Sequence, residues 1–236
     1  MKPIINIIGL EGKGKKEAKE LKRIIEKGIR RNEKFFGFSI SSLTIVLLNS
    51  RKEIDNLMKR KTADWIVGRA NSKNMEIFIL APWAFEKESC HPASAFPKVL
   101  IHEISHLFIG QVHPFSVPRW LVEGLASYLA KQKRPLVSIS PGLLNSPFLT
   151  RLSSSLGWNE NANRGAYPVS YYWIEFLINK HGKEKMLKFI LELKKTPEIK
   201  SAFKQIYPKS LALTEKDFLN YLKSLRKEVK INNGQS

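Results

Sequence analysis

The sequence is poor in the features that define several classes of protein. It has a single cysteine, Cys90, among 236 residues, so an internal disulfide framework is excluded. No apolar run approaches the roughly 20 residues of a membrane-spanning helix, and no repeat is present. The apolar start is broken by Asn6, becomes charged at Glu11 and lacks a small-residue cleavage site, so it does not predict a signal peptide. We therefore expect a soluble, cytoplasmic protein with one sizeable core.

Acidic residues are also few, since 21 Asp and Glu stand against 40 Lys and Arg, a net charge of +19. The excess lies at the two ends: residues 1–34 carry eleven basic and five acidic side chains, and residues 180–236 carry fourteen and six. Residues 92–130 are neutral. Basic ends can attract nucleic acid or an anionic membrane. They show no basic-aromatic interleaving and no nucleic-acid motif, so a solvated lysine-rich surface is the favoured interpretation.

Residues 94–110 contain the clearest chemical signal, the pattern His102-Glu103-x-x-His106. The stretch begins with a candidate N-cap serine, ends with a glycine and is apolar nearly all round, which predicts a buried helix. Residues four apart share a helical face, so His102 and His106 can direct two imidazoles at one metal ion. Glu103 lies beside the first of them and can take a proton from a water at that metal.

Two histidines do not complete a catalytic zinc site, because such sites usually have three protein ligands and one open position. Two residues are candidates for the third ligand. Glu123 lies 17 positions after His106, on a new helix that starts near Pro118. His113 lies seven positions after His106. Spacing alone leaves both open.

Residues 120–126, Trp-Leu-Val-Glu-Gly-Leu-Ala, resemble the W-L-x-E-G-x-A segment of gluzincin metallopeptidases. This is the peptidase MA-like superfamily, which includes the thermolysin and aminopeptidase N groups. The resemblance implies one zinc per chain, bound by His102, His106 and Glu123, with Glu103 as the general base. The G-x-M-E-N motif of the aminopeptidases is absent, so their specificity does not follow. The likeness is greater to small peptidase MA-like domains.

The alternatives with three histidines fit less well. In the metzincin pattern a glycine and a histidine follow the second ligand by three and six positions, whereas Gly110 and His113 follow His106 by four and seven. A methionine turn is also missing. A SprT-like arrangement would need a later histidine, and His181 is the one present, at the end of an apolar helix. The resemblance therefore favours Glu123 over His113.

A tyrosine downstream of the third ligand often stabilises the oxyanion in gluzincins. Residues 166–182 resemble the Y-x-x-S…L…Y-G segment of the peptidase MA-like domains. By that match Tyr167 is the first candidate for the oxyanion donor, and Tyr171, one turn further on, is the second. Packing of these aromatic side chains within a helix is an equally good explanation for either one.

The remaining sequence predicts the elements around this centre. Residues 15–34 have the apolar stripe of an amphipathic helix. Ser42–Leu48 is typical of a central strand, and Trp65–Ala70 and Met75–Leu80 predict a hairpin. In gluzincins the edge strand of the sheet pairs with substrate, and Met75–Leu80 is the candidate here. Residues 132–166 lack periodicity and predict a lid or connector.

These elements predict an α+β, zincin-like fold. Residues 1–92 would form an N-terminal helix with a small mixed sheet, and residues 93–230 a mainly helical subdomain carrying both motifs. Residues 231–236 would form a tail. The active site would lie in the cleft between the two subdomains, within one catalytic unit.

The predicted function is zinc-dependent hydrolysis of peptide bonds, with Glu103 activating the attacking water and Tyr167 stabilising the oxyanion. The expected partner is a peptide or protein substrate. Two alternatives remain: a relative that binds zinc without catalysis, and a nucleic-acid-associated protease that uses its basic ends. Side-chain preference, endo- or exopeptidase action and oligomeric state do not follow from the sequence.

Overall fold

The computed structural model describes residues 3–12, 14–113, 117–145 and 147–233, with side chains as far as residue 226. The fold is α+β, as predicted, with a small mixed sheet near the N-terminus followed by helices. Two compact units are present. The first comprises Met1–Pro114 and Leu129–Lys131, and the second comprises Phe115–Tyr128 and Gln132–Ser236.

The sheet has four strands in the order β1-β2-β4-β3. They are β1 (Ile4–Ile8), β2 (Ser42–Leu48), β3 (Gly68–Asn71) and β4 (Glu76–Leu80). β2 pairs in parallel with β1 on one side and with β4 on the other, and β3 pairs antiparallel with β4. The predicted central strand and the predicted hairpin are therefore confirmed.

The prediction that Met75–Leu80 forms an edge of the sheet is wrong, because β4 lies between β2 and β3. Ile77 and Ile79 of β4 are fully buried, as expected for an interior strand. The outer strands are β1 and β3. β3 has the sequence Gly-Arg-Ala-Asn, whose polarity suits an edge. β1 is an additional strand that the sequence analysis missed, because a short apolar run does not indicate its partner.

The first unit places four helices around this sheet. They are α1 (Lys15–Phe36), α2 (Arg51–Met58), α3 (Pro82–Phe85) and α4 (Phe96–Val112). α1 and α4 pack closely at Gly28, where an added Cβ would lie 2.8 Å from Ile104 Cδ1 and 3.2 Å from Ile101 Cγ1. The rings of Phe36 and Phe108 stack at 5.9 Å further along the same pair. This packing fixes α4, the helix that carries both histidines.

The bounds of α4 differ from the prediction. Ser94 does not cap it, because residues 93–95 form a 3-10 turn and the α-helix begins at Phe96 without a side-chain cap. The helix continues past Gly110 to Val112, and His113 is its C-cap residue. Both bounds therefore lie further along the chain than predicted, because no side-chain cap fixes the start of α4.

The second unit is helical. Its α-helices are α5 (Arg119–Leu129), α6 (Phe148–Arg151), α7 (Ser155–Asn161), α8 (Ala166–His181), α9 (Lys183–Lys195), α10 (Ile199–Ile206) and α11 (Leu211–Asn233). Short 3-10 turns occupy Leu136–Ser138, Pro141–Leu144 and Ala162–Arg164. Trp173 lies at the centre of the aromatic core, with ring centroids 6.2 Å from Trp120 and 5.2 Å from Phe218.

Residues 132–166 contain α6, α7 and the 3-10 turns, so they are more regular than the sequence indicated. Their role as a lid or connector stays a prediction. The cap of α10 is Glu198, whose carboxylate accepts from the backbone N–H groups of Lys200 and Ser201. α11 begins at Leu211 and extends to Asn233.

The contacts do not divide the chain after residue 92. They group α4 with the sheet and α1, so the first compact unit extends to Pro114. The predicted division into functional subdomains at residue 92 stays a prediction. Of the predicted tail, residues 231–233 belong to α11 and residues 234–236 lie outside the described residues. Within the described residues, no helix combines the length and apolar character needed to cross a membrane.

Candidate metal centre

The two histidines of α4 are placed as the four-residue spacing predicts. His102 Nε2 and His106 Nε2 lie 3.0 Å apart, and the ring planes are inclined at 81°. Two nitrogens bound to one tetrahedral zinc at 2.0–2.1 Å would be about 3.3 Å apart. The observed separation therefore needs only a small adjustment to accommodate a metal ion. His102 is buried and His106 is partly exposed.

Glu103 projects from the same helix towards β3 in the first unit. An added Cβ on Gly68 would lie 3.3 Å from Glu103 Cγ and 3.4 Å from Glu103 Cδ. It would also lie 3.1 Å from the carbonyl oxygen of Phe78 on β4. The outer strand of the sheet thus carries a glycine where the side chain of Glu103 passes its backbone, and a larger residue would crowd that carboxylate.

Glu123 lies on α5, whose first turn is held by backbone contacts. The N–H groups of Arg119 and Trp120 donate to the carbonyl oxygens of Ser153 at 3.0 Å and Leu152 at 3.1 Å. One residue after Glu123, Gly124 faces the carbonyl oxygen of Ser170 on α8, which an added Cβ would approach to 2.8 Å. α5 therefore packs tightly against α8 beside Glu123.

The Glu123 side chain is almost completely buried, with 3% of its area exposed. Its Oε1 forms an ion pair with Arg119 Nη2 at 2.8 Å, one helical turn earlier. Burial of a carboxylate in an apolar setting requires a charged or hydrogen-bonding partner, because the ionised form loses its hydration.

One side-chain donor atom from each of His102, His106 and Glu123 lies within 4.8 Å of the other two. Within the described ranges, these three side chains form the converging group that could hold a metal ion. His113 and His181 do not belong to it. Two imidazole nitrogens and one carboxylate oxygen form the donor set of catalytic zinc sites that keep one position open. The residues present therefore fit a metal ion of this kind.

His113 and His181, the two other histidines considered as ligands, have different surroundings. His113 is buried at the C-terminal end of α4. The His181 ring packs against the ring of Tyr207 at 5.3 Å. Burial lowers the pKa of His181, and the neighbouring Lys185 and Lys180 lower it further.

The two candidate tyrosines also differ in their surroundings. Tyr167 is partly exposed, its ring lies 4.9 Å from that of Trp158, and the Arg134 guanidinium lies 5.9 Å from its centroid. Tyr171 is buried and its hydroxyl donates to Glu175 Oε1 at 3.3 Å. Burial, and then the Glu175 carboxylate, raise the pKa of Tyr171. Tyr171 is thus part of a side-chain cluster of its own.

Sequence reasoning missed two residues that shape this centre, Gly68 and Arg119. A glycine inside a predicted strand often marks a close approach of another group, and this signal was available for Gly68. Arg119 lies four residues before Glu123, and opposite charges at that spacing pair on a helix. Neither pattern identifies a functional residue until the structure shows its partner, which is Glu103 for Gly68 and Glu123 for Arg119.

Comparison with known proteins agrees with this geometry. The family model described as the peptidase MA superfamily matches residues 96–224, which is more than half of the chain. The chain therefore belongs to the peptidase MA superfamily. It is 30% identical to the uncharacterized protein YhcO of Bacillus subtilis over 132 residues. The alignment spans 52% of this chain and 40% of YhcO, so the match covers less than half of that relative. No solved structure gave a significant match.

The contact between Gly68 and Glu103 leads to a prediction about catalysis. For the peptide hydrolysis predicted from the sequence, we expect Gly68→Ala to lower the rate roughly 10-fold, because the new methyl group shifts Glu103 by a few tenths of an ångström, and a 1 Å misplacement can cost about 10²-fold. Metal content should not change. Gly142→Ala is the control, since its Cβ would meet only the end of Arg164. Full activity in Gly68→Ala would contradict the prediction that Gly68 leaves the space that Glu103 needs.

Proposed function

We propose that this protein is a zinc-dependent metallopeptidase that hydrolyses peptide bonds. The observation that carries the proposal is the convergence of His102, His106 and Glu123, with Glu103 adjacent on α4. Membership of the peptidase MA superfamily supports the same reaction class. Zinc is the metal proposed because two imidazoles and a carboxylate in a four-coordinate site are its preferred catalytic ligands.

His102, His106 and Glu123 would hold the zinc ion, which supplies Lewis-acid polarisation of the carbonyl group and of the attacking water. The Glu103 carboxylate accepts a proton from the water as the water attacks the peptide carbonyl carbon. It then delivers that proton to the leaving amine nitrogen as the C–N bond breaks. The proton removed from water is therefore returned to the amine product.

A peptide substrate is supported by the position of β3. It is the outer strand of the sheet, and Gly68 brings its backbone beside Glu103. An extended peptide can align with the edge of a sheet through main-chain hydrogen bonds. We therefore propose β3, in place of the strand predicted from sequence, as the strand along which substrate would lie. A cytoplasmic location is retained as part of this proposal and rests on the sequence alone.

Cleavage of a peptide library tests the proposal. Purified protein would be stripped with a chelator, dialysed, reconstituted with zinc and incubated with peptides of varied sequence, and new termini would be identified by mass spectrometry. We expect cleavage that disappears on chelation and returns with zinc. Zinc binding without cleavage of any peptide would favour a non-catalytic relative.

The same cleavage assay with nucleic acid added at low and high salt tests the nucleic-acid alternative. A salt-dependent change in cleavage would indicate that the basic ends bind nucleic acid.

Replacement of the tyrosines distinguishes the two oxyanion candidates. We expect Tyr167→Phe to lower kcat by about 10²–10³-fold, the usual cost of losing one oxyanion donor. Tyr171→Phe is the matched control, because the same hydroxyl is lost from a tyrosine that donates to Glu175. Equal losses in both variants, or a larger loss in Tyr171→Phe, would contradict the assignment.

A further inference from the structure

The ion pair between Arg119 and Glu123 is unequal in exposure. The Arg119 side chain is 46% exposed, whereas the Glu123 side chain is 3% exposed, and the two charged groups are 2.8 Å apart. The guanidinium thus reaches from solvent to a buried carboxylate. At that distance the contact is a charge-assisted hydrogen bond, which is shorter and stronger than a neutral one.

A second ion pair between an arginine and a glutamate differs from this one because both of its side chains are exposed. Arg30 and Glu26 have the same four-residue spacing on α1, but their charged atoms are 3.6 Å apart and both side chains are well exposed, at 65% and 41%. Exposed pairs of this kind contribute little, because water competes for both charges. Glu123 has no such access to water, so removal of its cation would change how its carboxylate is held.

The base of the Arg119 side chain is itself fixed. Its backbone N–H donates to the Ser153 carbonyl oxygen, and the next residue, Trp120, is fully buried against the rings of Trp173 and Phe189. Because the backbone is fixed here, the Arg119 side chain extends from a defined point on α5. The ion pair is therefore well placed to select one rotamer of Glu123.

A carboxylate has two oxygens that can accept different partners. In this structure Glu123 Oε1 pairs with Arg119, and a carboxylate oxygen of Glu123 lies within 4.8 Å of ring nitrogens of His102 and His106. We propose that Arg119 is a positioning residue that holds Glu123 in its ligand rotamer and thereby sets the affinity of the metal centre. This inference rests on the proposed function, because it assigns Glu123 as a ligand.

Loss of a hydrogen-bonding partner of a metal ligand typically costs roughly 10–100-fold in metal affinity. We therefore expect Arg119→Ala to raise the zinc dissociation constant by that factor, measured by competition with a chromophoric chelator. Arg119→Lys keeps the positive charge and should restore part of the affinity. Arg30→Ala, which removes the same charge from an exposed pair, should bind zinc as the wild type does.

A double replacement separates positioning from a general effect on the fold. If Arg119 acts through Glu123, Arg119→Ala should cause no further loss of zinc affinity in protein that already carries Glu123→Ala. Wild-type affinity in Arg119→Ala would overturn the inference while leaving the proposed function intact. The inference would also be overturned if Arg119→Ala lowered zinc affinity as much in the Glu123→Ala protein as it does in the wild type. Failure of wild-type protein to bind zinc would instead overturn the proposed function. Should Arg119→Ala not fold, Arg119→Gln would take its place in the same cycle.

Discussion

Glu103→Gln is expected to lower the rate of peptide hydrolysis by about 10²–10⁴-fold, the usual contribution of a positioned general base. Glutamine has nearly the same shape as glutamate and fits beside Gly68, but it cannot accept the proton from the attacking water. Zinc affinity should stay close to the wild-type value, because Glu103 is not a member of the converging metal group. The measurement is kcat, with zinc content determined on the same sample.

Glu26→Gln is a suitable control for that experiment. It neutralises a carboxylate that belongs to an exposed ion pair with Arg30 on α1. Full activity is expected in this control. Retention of wild-type kcat in Glu103→Gln would show that another group activates the water, and the proposed role of Glu103 would be wrong.

Glu123→Ala is expected to weaken zinc binding by more than the roughly 10–100-fold that loss of an outer hydrogen-bonding partner costs. The variant removes the carboxylate donor, and only the two imidazoles of α4 remain. Hydrolysis should disappear as a consequence at ordinary zinc concentrations. Equilibrium dialysis against buffered zinc would measure the change.

His113→Ala is the matched control, because His113 is as deeply buried as Glu123 and was the competing candidate for the third ligand. We expect it to retain wild-type zinc affinity, whatever its cost in stability. The reverse pattern, with affinity lost in His113→Ala and kept in Glu123→Ala, would assign the protein to a class with three histidine ligands.

Local patterns in the sequence predicted the local parts of this centre. The apolar residues of α4 and the four-residue interval between His102 and His106 specify a buried helix with two imidazoles on one face, and the structure has that arrangement. The interval between His106 and Glu123 carried no such information. Glu123 was favoured over His113 because of a resemblance, since the distance between two helices is not encoded in their spacing along the chain.

Strand order shows why the rest was not predictable. The hairpin of β3 and β4 is local and was predicted, but either strand could have joined β2. β4 does so in parallel, which buries Ile77 and Ile79 and leaves the polar β3 outside. The composition of Gly68–Asn71 favoured the edge position and was overlooked. The roles of Arg119 and Gly68 depend on contacts with Glu123 and Glu103, and the sequence alone does not specify these contacts.

The most direct test of the central claim is a crystal structure of the zinc-loaded protein, with anomalous diffraction recorded on both sides of the zinc absorption edge. We expect one anomalous peak per chain, at about 2.0–2.2 Å from one nitrogen each of His102 and His106 and from one carboxylate oxygen of Glu123. A peak bound by His113, or no peak in crystals equilibrated with zinc, would contradict it.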